Sequence, residues 1–142
     1  MTGLNRCEKL WRTALDVALS AFIVAILGLG ITPVAHAAAA TATLSVEHTW
    51  QTGFIAHFTV TNASVTQLSD WRLEFDLPVG ESLSHTWNST FVQSGTHFVI
   101  TPANWNRSIA PGGSATGGLR GVLTGSYSPP ANCLLNGQYP CT

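Results

Sequence analysis

The stretch Trp71-Arg-Leu-Glu-Phe-Asp-Leu77 decides how this chain folds. On an extended backbone Trp71, Leu73, Phe75 and Leu77 fall on one side and Arg72, Glu74 and Asp76 on the other, the period-two pattern of a strand with one dry face and one wet face. Just upstream, Phe54, Ala56, Phe58 and Val60 alternate with Ile55, His57, Thr59 and Thr61 in the same way. Further strands are read at Thr43–His48, Glu81–Trp87, His97–Thr101, Ala115–Leu123 and Asn132–Leu135. Turn signals fall between them at Pro78-Val-Gly80, Ser94-Gly95, Pro111-Gly-Gly113 and Ser128-Pro-Pro130. No helical period appears in this region. The pattern predicts an all-β domain, an antiparallel sandwich (immunoglobulin-like or jelly-roll-like) of about nine short strands.

The chain has 142 residues, 45% hydrophobic and 9% charged, with seven acidic residues against six basic ones. That length fits one domain, and the low charge argues against disorder. A near-neutral balance also argues against nucleic acid, whose phosphates must be met by clustered Lys and Arg. The charges are unevenly spread. Lys9, the only lysine, and Arg6 and Arg12 precede an apolar run over Val17–Val34. Ala35-His36-Ala37 then supplies small residues at the two positions that signal peptidase inspects, and Pro33 ends the run just before them. Residues 1–37 therefore read as a signal peptide and residues 38–142 as the exported domain. An uncleaved anchor is the alternative, since the apolar run approaches the length of a membrane span. Cleavage near Ala38 implies an extracellular, oxidising destination with no membrane attachment afterwards.

Cys7 leaves with the signal, so the exported domain keeps Cys133 and Cys141. An even pair in a secreted domain suggests a disulfide closing the loop C-L-L-N-G-Q-Y-P-C, with two free thiols as the alternative. Neither cysteine has the C-x-x-C spacing of a redox or zinc site.

The candidate chemistry lies in the tryptophans. Trp71 belongs to the apolar stripe of its strand and reads as core. Trp50, Trp87 and Trp105 stand instead among polar residues, in His48-Thr-Trp-Gln-Thr52, His85-Thr-Trp-Asn-Ser89 and Ala103-Asn-Trp-Asn-Arg107. Three such rings on one small domain point to a binding surface; packing beneath loops is the alternative. Pyranose rings in β-1,4 chains present flat faces of axial C–H bonds, which lie against an aromatic face by dispersion and by attraction to its negative π cloud. Asn88 and Asn104 beside the rings can hydrogen-bond sugar hydroxyls.

These segments resemble a family 2 carbohydrate-binding module, the bacterial cellulose-binding domain attached to cellulases, xylanases and chitinases. The resemblance rests on W-Q-T-G-F at Trp50–Phe54, F-T-V-T-N at Phe58–Asn62, D-W-R-L-E-F at Asp70–Phe75, T-W-N-S-T at Thr86–Thr90, N-W-N-R-S at Asn104–Ser108, A-P-G-G-S-A at Ala110–Ala115, and L-N-G with a following Cys at Leu135–Cys141. It covers residues 41–142. By resemblance, Trp50, Trp87 and Trp105 fall on the family's planar strip of surface tryptophans and Trp71 on its core tryptophan. Xylan-binding members carry an arginine in the W-x-x-G-F turn; Gly53 here resembles the cellulose-binding branch. The resemblance thus implies crystalline cellulose as the favoured ligand, with chitin next.

Several positions depart from that pattern. The family ties its first strand to the C-terminus by a disulfide, but its N-terminal cysteine is Thr41 here and Cys133 is extra, which leaves a local Cys133–Cys141 bridge as the expectation. Arg107 replaces a common Gly, Arg120 replaces the Asn of G-F-N-G, and Thr116 replaces a frequent Gln. Guanidinium groups there could reach an acetamide or an acidic glycan.

A glycoside hydrolase needs two carboxylates flanking the scissile bond; Glu74 and Asp76 share a strand face, but Arg72 beside them reads as a solvated charge ladder. A copper oxygenase would need cleavage before His36, with His48, His57, His85 or His97 as partner. A secreted adhesin could use the same tryptophans. Asn62-Ala-Ser64, Asn88-Ser-Thr90 and Asn106-Arg-Ser108 match glycosylation acceptors but read as accidents of a polar surface. The expectation is a monomeric, non-catalytic polysaccharide binder that needs no cofactor or metal and meets no nucleic acid.

Overall fold

The computed structural model describes residues 38–142; the signal peptide read over residues 1–37 lies outside them. In chain order the strands are β1 (Ala40–Trp50), β2 (Gly53–Asn62), β3 (Leu68–Ser69), β4 (Leu73–Asp76), β5 (Glu81–Trp87), β6 (Ser89–Ser94), β7 (His97–Pro102), β8 (Ser108–Ile109), β9 (Ser114–Leu123), β10 (Ala131–Leu135) and β11 (Tyr139–Pro140). They form a four-stranded sheet in the order β1-β2-β9-β5, a five-stranded sheet in the order β11-β10-β4-β7-β6, and the two-residue pair β3-β8. Every pairing is antiparallel. The fold is the antiparallel all-β sandwich that the alternating segments predict, and its strand count exceeds the nine expected from sequence. β6 escapes the alternation because it is an edge strand whose Phe91 alone packs on the core. β3, β8 and β11, at two residues each, are too short for any period to register.

The core lies between the two main sheets. From the first come Phe54, Ala56, Phe58, Val60 and Leu119; from the second come Leu73, Phe75, Phe98, Ile100 and Leu135, all buried. Trp71 is fully buried at the entry to β4, its ring centroid 5.6 Å from that of Phe58. The stripes Phe54–Val60 and Trp71–Leu77 therefore face each other across the sandwich, as their periods require.

Two β-bulges interrupt the four-stranded sheet, one in each of its edge strands. β1 pairs Val46 with Ala56 and then His48 with Ile55, leaving Glu47 as the extra residue. β5 pairs Leu83 with Gly121 and then His85 with Arg120, leaving Ser84 extra. One extra residue moves every later side chain of a strand to the opposite face. Without its bulge β1 would aim Trp50 inward with Ala40 and Ala42, and β5 would aim Trp87 inward beside Leu83. The bulges turn both rings out of the core.

The C-terminal segment ties the two sheets together. A disulfide joins Cys133 of β10 to Cys141. Beyond it, Leu44 N–H donates to the Thr142 carbonyl at 3.3 Å and Thr142 N–H donates to the Ala42 carbonyl at 3.0 Å, so the last residue lies along β1.

Candidate functional site

The outer face of the four-stranded sheet is where the two bulged strands deliver their tryptophans. Trp50 pairs with Gly53 on β2, and its ring folds back over that glycine: a Cβ on Gly53 would lie 2.5 Å from the ring's Cζ2 and 2.6 Å from the Gly121 carbonyl. Trp87 pairs with Gly118 on β9 and lies still closer, with a Cβ there only 1.9 Å from Cζ2. Both glycines are present because the rings need bare backbone to lie on. Each ring thereby shows one face to the sheet and the other to solvent. Trp50 is 39% exposed and Trp87 is half-buried.

Polar side chains occupy the strands between the rings. His57 meets the edge of Trp87, with ring centroids 5.4 Å apart and planes at 72°. Its Nε2 lies 2.6 Å from Glu47 Oε2, which brings the bulge residue of β1 to the same face. Arg120, opposite Ile55 on one side and His85 on the other, holds its guanidinium carbon 5.9 Å from the Trp50 ring centroid, within cation–π range.

Trp105 comes from the loop between β7 and β8 and is the most exposed ring, at 71%. Asn106 anchors that loop to the turn after Trp87: its Nδ2 donates to the Asn88 carbonyl at 2.7 Å, and its own carbonyl accepts from Trp71 Nε1 at 3.0 Å. Asn88 sits at φ 58°, and its Nδ2 donates to the Thr116 carbonyl of β9 at 3.0 Å. Two asparagines thus tie the loop that carries Trp105 to the turn after Trp87, and the core tryptophan bonds to the same loop. Arg107 Nε meets Asp70 Oδ1 at 2.7 Å, closing the other side of the loop. Beneath it opens a hollow of about 750 Å³ lined by residues that include Trp105, Asn104, Asp70, Arg72 and Thr101.

The structure therefore brings Trp50, Gly53, Trp87 and Asn88 to one face of the four-stranded sheet, with Trp105 and Asn104 on the adjoining loop. Asn88 has its amide nitrogen committed to the backbone, whereas Asn104 is exposed at the rim. Gly118 and Glu47 escape the sequence reading, and His57, weighed there only as a copper partner, lies against Trp87 instead. The Gly117-Gly118 pair inside a strand was the available signal for Gly118, since glycine there marks a close approach.

On the outer face of the five-stranded sheet the ionisable side chains lie beside one another. Arg72 Nη2 lies 3.4 Å from Glu74, and His97 lies 3.7 Å from Glu74 and 2.7 Å from Asp76. Asn132 Nδ2 donates to Asp76 at 2.8 Å; that bond first, then the one from His97, holds the Asp76 carboxyl below its ordinary pKa. Two of the glycosylation-like asparagines, Asn62 and Asn106, are buried, and Asn62 donates to the Thr66 and Ile109 carbonyls.

A sequence model of the family described as "Cellulose binding domain" matches residues 40–141. The chain belongs to the cellulose binding domain family. A cellulose/chitin binding protein of Mycobacterium tuberculosis is 73% identical over 142 residues, 100% of both chains. Chitinase C of Streptomyces lividans is 38% identical over 124 residues, 87% of this chain and 19% of the enzyme. Among solved structures, the chitin-binding domain of Chi18aC from Streptomyces coelicolor matches with a TM-score of 0.59 at 40% identity, over 70% of this chain and 91% of that one. In this cellulose binding domain the antiparallel sandwich agrees with what the family resemblance implies; Trp71 is buried, Trp50 and Trp105 are exposed and Trp87 is half-buried.

Proposed function

We propose that this protein is an exported, non-catalytic polysaccharide binder that docks on the flat face of insoluble β-1,4-glycan through Trp50, Trp87 and Trp105. The observation that carries this reading is the pair of indole rings laid on Gly53 and Gly118. A ring held flat against a sheet has one face already occupied and the other presented, which suits stacking against a pyranose and not insertion into a pocket. Asn104 at the rim and the Asn88 side-chain carbonyl supply hydrogen bonds to hydroxyls. Cellulose and chitin both offer such faces, and the names of the relatives point the same way.

Suspended cellulose, chitin and xylan, each mixed with the protein and spun down, test the reading. Depletion from solution is expected on cellulose and chitin. A folded protein that stays in solution with both would overturn it. Mass spectrometry of the culture medium checks export: the expected N-terminus lies at or beside Ala38, and an intact chain confined to the membrane fraction contradicts it.

A further inference from the structure

Three arginines lie among the described residues, and two of them are neutralised: Arg107 by Asp70 at 2.7 Å and Arg72 by Glu74 at 3.4 Å. Arg120 differs. It is exposed on β9, a central strand of the four-stranded sheet, and no carboxylate among the described residues lies within ion-pair distance of it. It stands between Ile55 and His85 on the flanking strands, and its guanidinium carbon lies 5.9 Å from the Trp50 ring centroid. A cation is thus held beside a stacking ring with its N–H donors uncommitted.

We propose that Arg120 recognises the acetamide group of a β-1,4-linked N-acetylglucosamine chain and gives this face a preference for chitin over cellulose. The inference rests on the docking reading above. A sugar stacked on Trp50 carries its equatorial substituents outward from the edge of the ring, toward the strands on either side. Where cellulose has a hydroxyl, chitin has an amide, whose carbonyl is a fixed acceptor. Guanidinium offers five N–H donors and no acceptor, so it matches that carbonyl directly. A hydrogen bond to a charged donor is also stronger than one between neutral groups.

An acidic glycan would also satisfy Arg120, but its surroundings select against one. Glu47 stands on the same face, bonded to His57 at 2.6 Å, and would repel a polyanion laid across the strip. The exported domain carries five carboxylates against three arginines, which opposes it further. An acetamide brings a donor N–H as well as an acceptor carbonyl, so it tolerates both charges.

Adsorption isotherms of Arg120→Ala, Arg120→Gln and Arg120→Lys, on protein purified after expression of the full chain, decide the matter on chitin, cellulose and a polyuronate. The expected result is a loss of about tenfold on chitin for the Ala and Gln variants, the factor of one charge-assisted hydrogen bond. Binding to cellulose should change by less than about twofold, within the scatter of a surface substitution. Lysine, which keeps the charge without the fork, should recover part of the loss. Melting temperatures should match the parent, because the side chain is exposed. Equal losses on chitin and cellulose would mean that Arg120 only steadies Trp50, and would overturn the proposal, as would undiminished chitin binding or a loss confined to the polyuronate. Trp87→Ala on the same supports separates the two readings. If it binds both glycans like the parent, docking on the rings is wrong; if it loses both while Arg120→Ala loses neither, only the acetamide assignment fails.

Discussion

Gly118→Ala is the sharpest perturbation of the proposed face, because it removes no ring and changes no polar group. The added methyl would lie 1.9 Å from Cζ2 of Trp87. Ordinary carbon contacts begin near 3.5 Å, so the ring must retreat by about 1.5 Å. Trp87 is half-buried at the end of an edge strand, so it can lift away from the sheet instead of straining it. The stability cost is then the ring's lost contact with the sheet, offset by the lower chain entropy of alanine, about 0.5–1 kcal/mol. These should nearly cancel, leaving the melting temperature within a few degrees of the parent. Binding should respond differently. A ring raised out of line no longer meets the same flat surface as its neighbours, and losing most of one hot spot costs at least about 1.4 kcal/mol, or tenfold. Adsorption isotherms on cellulose and chitin, with thermal melts on the same samples, measure both quantities. A folded variant with parental affinity would show that the flat seating of Trp87 is irrelevant to docking.

Trp50→Ala, Trp87→Ala and Trp105→Ala should each weaken adsorption by about 2 kcal/mol with the fold retained. Trp71→Ala should instead lower stability by roughly 3–5 kcal/mol, because its cavity opens inside the core, as chemical denaturation would report. The pKa of Asp76 is lowered in the folded state, so its contribution to stability is present above the ordinary carboxylate value and disappears as pH falls through the lowered one. Asn132→Ala removes the largest cause, and a carboxyl NMR titration should show the Asp76 midpoint rising toward 3.8; an unmoved midpoint contradicts the assignment. Replacing both Cys133 and Cys141 by Ser should cost about 2–3 kcal/mol, since the bridge closes a short loop. Denaturant midpoints test this, and an unchanged midpoint refutes it.

Much of the fold was legible because its strands alternate cleanly: Phe54–Val60 and Trp71–Leu77 show their buried faces in the order of their residues. The phase of Trp50 and Trp87 was not legible in that way. Period two, carried along β1 from Ala40 and Ala42 or along β5 from Leu83, places both rings in the core. Their polar neighbours pointed outward correctly, but the cause lies in Glu47 and Ser84, ordinary residues that nothing in a sequence marks as bulges. The anchoring of Trp105 was hidden for a similar reason. Asn88 and Asn106 look like surface polar residues, and only the folded chain shows that each answers a backbone group on another segment. Arg120 stood out in sequence as a departure from the family pattern; that it is, among the described residues, the arginine without a carboxylate at ion-pair distance is a property of the fold.

The seating of Thr142 along β1 bears on how the molecule behaves among its own copies. β1 is the outermost strand of its sheet, and such a strand offers unpaired N–H and C=O groups to any other chain that can lie beside it. Thr142 occupies part of that edge, and the Cys133–Cys141 bridge keeps it there by fastening the preceding residue to the opposite sheet. Thr142 thus covers the edge beside Ala42 and Leu44 and leaves the tryptophan end of the strand uncovered. Without the bridge, Thr142 would be held on that edge by its backbone hydrogen bonds to Ala42 and Leu44.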